Sequence, residues 1–286
     1  VIHYQIKVAK HGMVYPKFTM LTGEHLDMQF STKVKAKNVR WSSTNKKIAT
    51  INKKGKMVAK KRGNVIIKGN DGKRTYVSKI TVKKRPKNIV YLTFDDGPRK
   101  GSTELIVDAL KKVNGRATFF VVGQMVEQSP DLVKKAVEAG CQIGNHTYDH
   151  ANLNKLGAYG VKTEVNKCSN AVYAAAGVYP MIGRPPYGSV NQTVRNAVSI
   201  PWFNWNVDTL DWKNRDANYV YNYVINNVKD GQVILMHDLH PTTAQAMVRA
   251  IPKLHEMGYQ LVTIDEMAKV KGGYENIPGY VKATVK

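Results

Sequence analysis

Two adjacent carboxylates, Asp95-Asp96, and an imidazole pair four residues apart, His146 and His150, are the residues here best suited to chemistry. Arg184 with Tyr187, then Asp208, then His237 follow them along the chain. Taken singly each signal is weak: with 13 Asp in 286 residues, about 0.6 Asp-Asp pairs arise by chance. Together, two imidazoles and a carboxylate suit a three-ligand zinc site that keeps one position open for water. The same donors also suit Co²⁺, Mn²⁺ or Ni²⁺.

Each cluster lies just after a segment that reads as a strand. Ile89–Phe94 is an apolar run ending at Asp95; Ala117–Val122 and Cys141–Gly144 follow, the latter ending just before His146. Strands near Met181–Arg184, Pro201–Asn206, Gln232–Met236 and Tyr259–Thr263 complete seven. Between them lie helical patterns: one after Ser102, one opened by Ser129-Pro130, then 161–176, 193–198, 217–228 and 242–257. Such alternation predicts a parallel sheet, open or closed into a barrel, whose C-terminal strand ends share one face. Residues about 140 positions apart would then meet on one rim.

The first third of the chain is different in kind. Of the 44 Lys+Arg, residues 1–86 hold 22 against 3 Asp/Glu, whereas residues 87–286 hold 22 against 18, so most of the +23 net charge sits in front. Fields of that sign concentrate anionic polymers. Short alternating segments at Lys17–Leu21, Val39–Ser42, Ala49–Ile51, Met57–Ala59, Val65–Lys68 and Thr75–Val82, punctuated by glycines, predict a small antiparallel sandwich. Trp41-Ser-Ser-Thr-Asn45, Ile48-Ala-Thr-Ile51, Gly55-Lys-Met-Val58 and Gly63 resemble the bacterial immunoglobulin-like group 2 domain over about residues 20–84. That resemblance implies a spacing or anchoring module on an extracellular or cell-wall-associated protein. Residues 1–19 read as a preceding tail or a first strand, and no signal or anchor segment is visible. The expected division is 1–84 all-β, 85–88 linker around Pro86, 89–270 α/β, and 271–286 an unassigned tail. No run approaches the roughly 20 apolar residues of a transmembrane helix. Cys141 and Cys168 read as buried thiols, with a single disulfide left open. Nucleic-acid binding is not expected, because the basic segments lack interleaved stacking aromatics.

Five ordered segments carry a second resemblance: Thr93-Phe-Asp-Asp-Gly-Pro98, His146-Thr-Tyr-Asp-His150, Arg184-Pro-Pro-Tyr-Gly188, Asp208-Thr-Leu-Asp-Trp212 and Leu235-Met-His237. They resemble the motifs of the polysaccharide deacetylases, carbohydrate esterase family 4 (the NodB-homology domain), over about residues 88–268. The resemblance implies a distorted seven-stranded (β/α) barrel. It also implies that Asp96, His146 and His150 hold the metal, that Asp95 is the general base for the attacking water, and that Arg184 orients Asp95. By the same resemblance the Tyr187 backbone N–H binds the oxyanion and His237 protonates the departing amine. Asp208 would hydrogen-bond His237 and raise its pKa. Trp212, Leu235 and Pro186 would form the acetyl pocket. Asp211 and Asp149 read as structural, His240 as surface or helix start, His3, His11, His25 and His255 as ordinary, and Trp202 and Trp205 as core. The implied substrate is an N-acetylated cell-wall glycan. Peptidoglycan N-acetylglucosamine is preferred, because the intact Asp95-Asp96 pair is often altered in the branch acting on N-acetylmuramic acid. Chitin or chitooligosaccharide deacetylation, acetylxylan esterase activity and a non-catalytic wall-binding protein are the alternatives.

Overall fold

The computed structural model describes residues 17–28, 39–83, 88–271 and 273–281. The expected linker (Asn88 apart), His3, His11 and most of residues 1–19 lie outside them. The chain divides into two compact units, one of residues 1–86 with 268–273 and one of residues 87–267 with 274–286.

In the first unit, seven short strands form two sheets. They are β1 (Lys17–Leu21), β2 (His25–Asp27), β3 (Arg40–Ser43), β4 (Ala49–Ile51), β5 (Lys56–Ala59), β6 (Gly63–Asn70) and β7 (Thr75–Lys83). One sheet runs β1-β7-β6-β3 and the other β2-β5-β4, as an immunoglobulin-like sandwich requires. Alternation decides which face is inside: on β7, Ser78, Ile80 and Val82 are buried while Val77, Lys79 and Lys83 are exposed. Met20, Met57, Ile67 and Ile80 fill the space between the sheets. Gly55 has φ +84 and packs its α-carbon against the Trp41 ring, where a Cβ would stand 3.1 Å from Cζ2, so a side chain there meets both backbone and steric cost.

The second unit is built around β8 (Ile89–Asp95), every residue of which is buried, as expected for a central strand covered on both faces. To it are added β9 (Thr118–Val121), β10 (Gln142–Asn145), β11 (Val207–Asp208), β12 (Gln232–His237) and β13 (Gln260–Leu261). All pairings are parallel, in the order β10-β9-β8-β12-β11, with β13 pairing to the start of β8. The helices are α1 (Thr103–Lys112), α2 (Gly123–Gln128), α3 (Pro130–Glu138), α4 (Ala158–Ala176), α5 (Gln192–Ala197), α6 (Asp211–Asn214), α7 (Ala217–Asn227), α8 (Pro241–Glu256) and α9 (Ile264–Lys271), the last grouped with this unit only up to Met267. Their apolar faces, Ile106, Leu110, Val133, Val172, Val224 and Met247 among them, form one core with Leu92, Phe94 and Ile234 of the sheet. No helix among the described residues is long and apolar enough to cross a membrane.

The fold is α/β with an immunoglobulin-like module before it in sequence; five of the seven expected strands form, and the two-residue β11, just past the expected 201–206, makes the sixth. The segments near 181–184 and 201–206 are reduced to single bridges, Asn145 with Gly183 and Gly183 with Trp202. Pro180, Pro185, Pro186 and Pro201 withhold ladder donors there, which limits continuous pairing. Ser102 and Ser129 do stand at the starts of α1 and α3, but neither side chain makes a capping bond. Residues 274–281 are not a free tail: Tyr280 bridges Phe203 and the Val281 N–H donates to the Trp202 carbonyl. Both cysteines are buried free thiols, their pKa values pushed up by burial to about 11 and 12.

Candidate metal centre and active site

Parallel register brings the distant motifs together. His237 ends β12 opposite Asp95 of β8, Asp95 stands opposite Phe120, and Asn145, just before His146, stands opposite Val121. Beyond the strand ends the chain turns sharply. Asp96, Thr147, His150, Tyr187 and Leu210 all have φ between +55 and +72. For non-glycine residues that left-handed conformation costs about 1–2 kcal/mol each, a strain characteristic of functional sites.

Asp96 Oδ1 lies 3.4 Å from His146 Nε2 and 3.4 Å from His150 Nε2, and the three ligand atoms all fall within 4.8 Å of one another. Those distances are long for hydrogen bonds. They match the separation of roughly 3.4 Å between two donors each about 2.1 Å from a tetrahedral ion. Asp96 Oδ1 is buried and without a hydrogen-bond partner, so the protein leaves one lone-pair site for something else. His146 Nδ1 is 2.7 Å from the Arg184 carbonyl, which can only accept, so Nδ1 carries the proton and the Nε2 lone pair faces Asp96. Burial is the main cause that lowers the His150 pKa, the direction that favours the neutral ring a ligand must be. Burial raises the Asp96 pKa, but the imidazoles around it, His146 foremost, outweigh that and bring it to about 2. The donor set fits a divalent cation.

Asp95 points to a different partner. Its Oδ1 accepts from Arg184 Nη1 at 2.7 Å, and both side chains are buried. Arg184 is itself held by Thr93 Oγ1 and by the Phe203 and Asn204 carbonyls, with its guanidinium 4.2 Å from the Phe120 ring centre. Burial lowers the Arg184 pKa and the Asp95 charge opposes that fall. A fork so fixed can orient a carboxylate.

The imidazole of His237 corrects one expectation. Its Nδ1 lies 2.8 Å from Asp211 Oδ1, not from Asp208, and its backbone N–H donates to Asp211 Oδ2. Thr243 Oγ1 donates to the same oxygen, and Asp211 is fully buried. Asp208 instead accepts the Leu210 N–H at 2.8 Å and shapes the turn that delivers Asp211 beneath the end of β12. Burial lowers the His237 pKa, but the Asp211 hydrogen bond and charge, aided by Asp95 and Asp96, outweigh it and raise it to about 9. His237 is therefore an imidazolium at neutral pH. His240 caps the start of α8 but is buried, not at the surface, 5.7 Å ring to ring from His237.

These groups open onto one cavity of about 470 Å³. Asp95, Asp96, His146, His150 and His237 form its polar side; Tyr187, Trp212, Leu235 and Trp205 wall it, and Asp208 stands at its edge. Pro185 lines it where Pro186 was expected, because Pro186 is turned into the protein as the first residue of a 3₁₀ turn. Trp205 belongs to this wall rather than to the core, whereas Trp202 is buried with Val161 and Val165. Asp149 is an exposed turn residue. A groove of about 580 Å³ beside α2 and α4 has Tyr148 bonded to Glu127 and Lys167 over the Tyr148 ring.

Comparison with known proteins identifies both units. Residues 82–200 match the family model described as polysaccharide deacetylase, and residues 15–82 the bacterial Ig-like domain (group 2). The peptidoglycan-N-acetylglucosamine deacetylase PgdA of Listeria monocytogenes is 42% identical over 199 residues, 68% of this chain and 43% of that protein. The chain thus spans less than half the length of that relative. The solved structure of the peptidoglycan deacetylase PdaC from Bacillus subtilis is 36% identical with a TM-score of 0.63, covering 65% of this chain and 92% of that one. A family 4 acetyl xylan esterase from Clostridium thermocellum, solved with a cobalt ion, is 33% identical with a TM-score of 0.60, covering 65% of this chain and 93% of that one.

Proposed function

The chain belongs to the polysaccharide deacetylase family, and from that premise we propose that it removes acetyl groups from an N-acetylated cell-wall glycan, peptidoglycan N-acetylglucosamine before others. One observation carries the reading: a single cavity unites three side chains whose donor atoms could hold one ion, a carboxylate pinned by a buried arginine, and an imidazole whose pKa is raised to about 9. A divalent ion held by Asp96, His146 and His150, Zn²⁺ by preference of the donor set, would polarise the acetyl carbonyl and acidify water. Asp95, kept in place by Arg184, takes the proton of the attacking water at its carboxylate. His237, with Nδ1 committed to Asp211, gives the proton on Nε2 to the departing amine nitrogen, a poor leaving group without it. The Tyr187 N–H is the proposed donor to the oxyanion, and Trp212 with Leu235 receive the acetyl methyl. We place the protein outside the cell or at the wall, with the cationic front module holding it to an anionic surface.

Acetate release from peptidoglycan, N-acetylglucosamine oligomers and acetylated xylan tests the reading. Release is expected to be greatest on the first two, to stop with chelator, and to fall about 10²-fold or more in Asp95→Ala. Preferential release from xylan would make the protein an esterase, and undiminished release by Asp95→Ala would remove the assigned base.

A further inference from the structure

Of the front module's described cations, five stand on the outward face of its four-stranded sheet, and the rest lie in turns or on the other sheet. On β1, β7, β6 and β3, outward and inward residues alternate, and the outward set includes Lys17, Arg40, Lys68, Lys79 and Lys83, all exposed. Register packs them closely. β1 runs parallel to β7, not antiparallel as expected, and sets Lys17 beside Lys79 at the interstrand spacing of about 5 Å; Lys68 stands opposite Val77 on the antiparallel side, diagonal to Lys79. Like charges directly opposite each other destabilise a sheet, and among the described residues none of these five is ion-paired.

The module cannot neutralise this face from its own carboxylates. Residues 1–86 contain three, and each is committed elsewhere. Glu24 is buried and accepts the Leu21 N–H; Asp71 accepts the Lys73 and Arg74 N–H groups and the Tyr76 hydroxyl; Asp27 lies on the other sheet, directly opposite Lys56. So the three-stranded sheet sets its strand lysine opposite an acid, whereas none of the five cations on the four-stranded sheet has an acid opposite it. The remaining outward positions are Thr, Ser and Asn, with Leu21, Ile66 and Val77. The aromatics Trp41 and Tyr76 are turned inward against the core, so the face offers no ring for a base to stack on.

We propose that this outward face of the four-stranded sheet is a binding surface for a linear phosphodiester polymer without bases. The inference deepens the anchoring role given to the front module and is independent of the deacetylase reading. Phosphates spaced along a flexible backbone lie across neighbouring strands, relieve the Lys17–Lys79 repulsion and release counterions.

The test measures binding of the full chain to poly(glycerol phosphate) between 50 and 200 mM salt, with single-stranded DNA of matched charge beside it. Two variants lose the same charge: Lys17→Gln/Lys68→Gln/Lys79→Gln on the face, and Lys53→Gln/Lys54→Gln/Lys56→Gln around the β4–β5 turn of the other sheet. The face variant is expected to bind at least tenfold more weakly at 50 mM salt, with the log–log salt slope reduced by about 2. The turn variant is expected to stay within about threefold of the unaltered chain. Equal losses in both variants would reduce the effect to net charge and overturn the proposal. So would failure to bind the polymer, or DNA binding as tight as polymer binding. Binding is read without turnover, so the result is separate from any failure of acetate release.

Discussion

Asp208 and Asp211 show how far residue types alone can be read. Both lie in one motif three positions apart, and either could have reached His237 from sequence considerations. The choice is made by backbone: the left-handed Leu210 turns the chain so that Asp211 is buried under the end of β12. Nothing in the pattern of side chains encodes that turn. The candidate ligands Asp96, His146 and His150, with Asp95, were legible because they stand at or just beyond the apolar runs of β8 and β10, whereas Arg184 follows only a single bridge and was marked by its motif; the structure brings those five together. The consequence concerns pH. A His237 pKa raised to about 9 keeps the proposed general acid protonated below that value, so the alkaline limb of activity should fall as pH rises through it. Asp211→Asn is expected to move this alkaline limb down by about one unit or more, whereas Asp208→Asn leaves it in place. The same pairing favours the folded state: its contribution is complete below the ordinary histidine pKa and lost as pH rises through about 9. The ratio of the two variants' pH–rate profiles measures the assignment, and a limb that follows Asp208 would restore the sequence expectation.

Among the elements, those with unbroken apolar runs, such as β8, β9 and β12, stand where periodicity puts them to within a residue or two. The misses are short or interrupted. α2 and α6 span six and four residues, too few for a helical period to register. The segments around 183 and 202 are broken by proline, so a strand-like composition yields single bridges. Gly183 sits at the junction of those bridges, and a Cβ there would lie 2.7 Å from the Trp202 ring and 2.8 Å from Ile200. Gly183→Ala is therefore expected to destabilise the second unit by about 1–3 kcal/mol, read as a lower urea midpoint. Because Arg184 follows directly and its N–H donates to the Asn145 carbonyl, KM and kcat should suffer together at temperatures where the variant is still folded. An unchanged midpoint would mean that this close approach relaxes freely.

The molecule as a whole joins a strongly cationic sandwich to an α/β unit in which Asp96, His146 and His150 could together hold a divalent ion. Ligands that bind only the folded state stabilise it, by about 2.7 kcal/mol at a hundredfold excess over Kd. Zn²⁺ should thus raise the Tm of the second unit's transition by roughly 5–10 °C, and His150→Ala should abolish the shift. No shift, or one that survives the variant, would place any bound ion elsewhere. The most direct trial of the account is a titration of chelator-stripped protein with Zn²⁺ while acetate release from N-acetylglucosamine oligomers is followed. Activity is expected to rise in proportion to added metal and to level off at one equivalent per chain, with His146→Ala flat throughout. Full activity in the stripped protein, or in the His146→Ala chain, would contradict it.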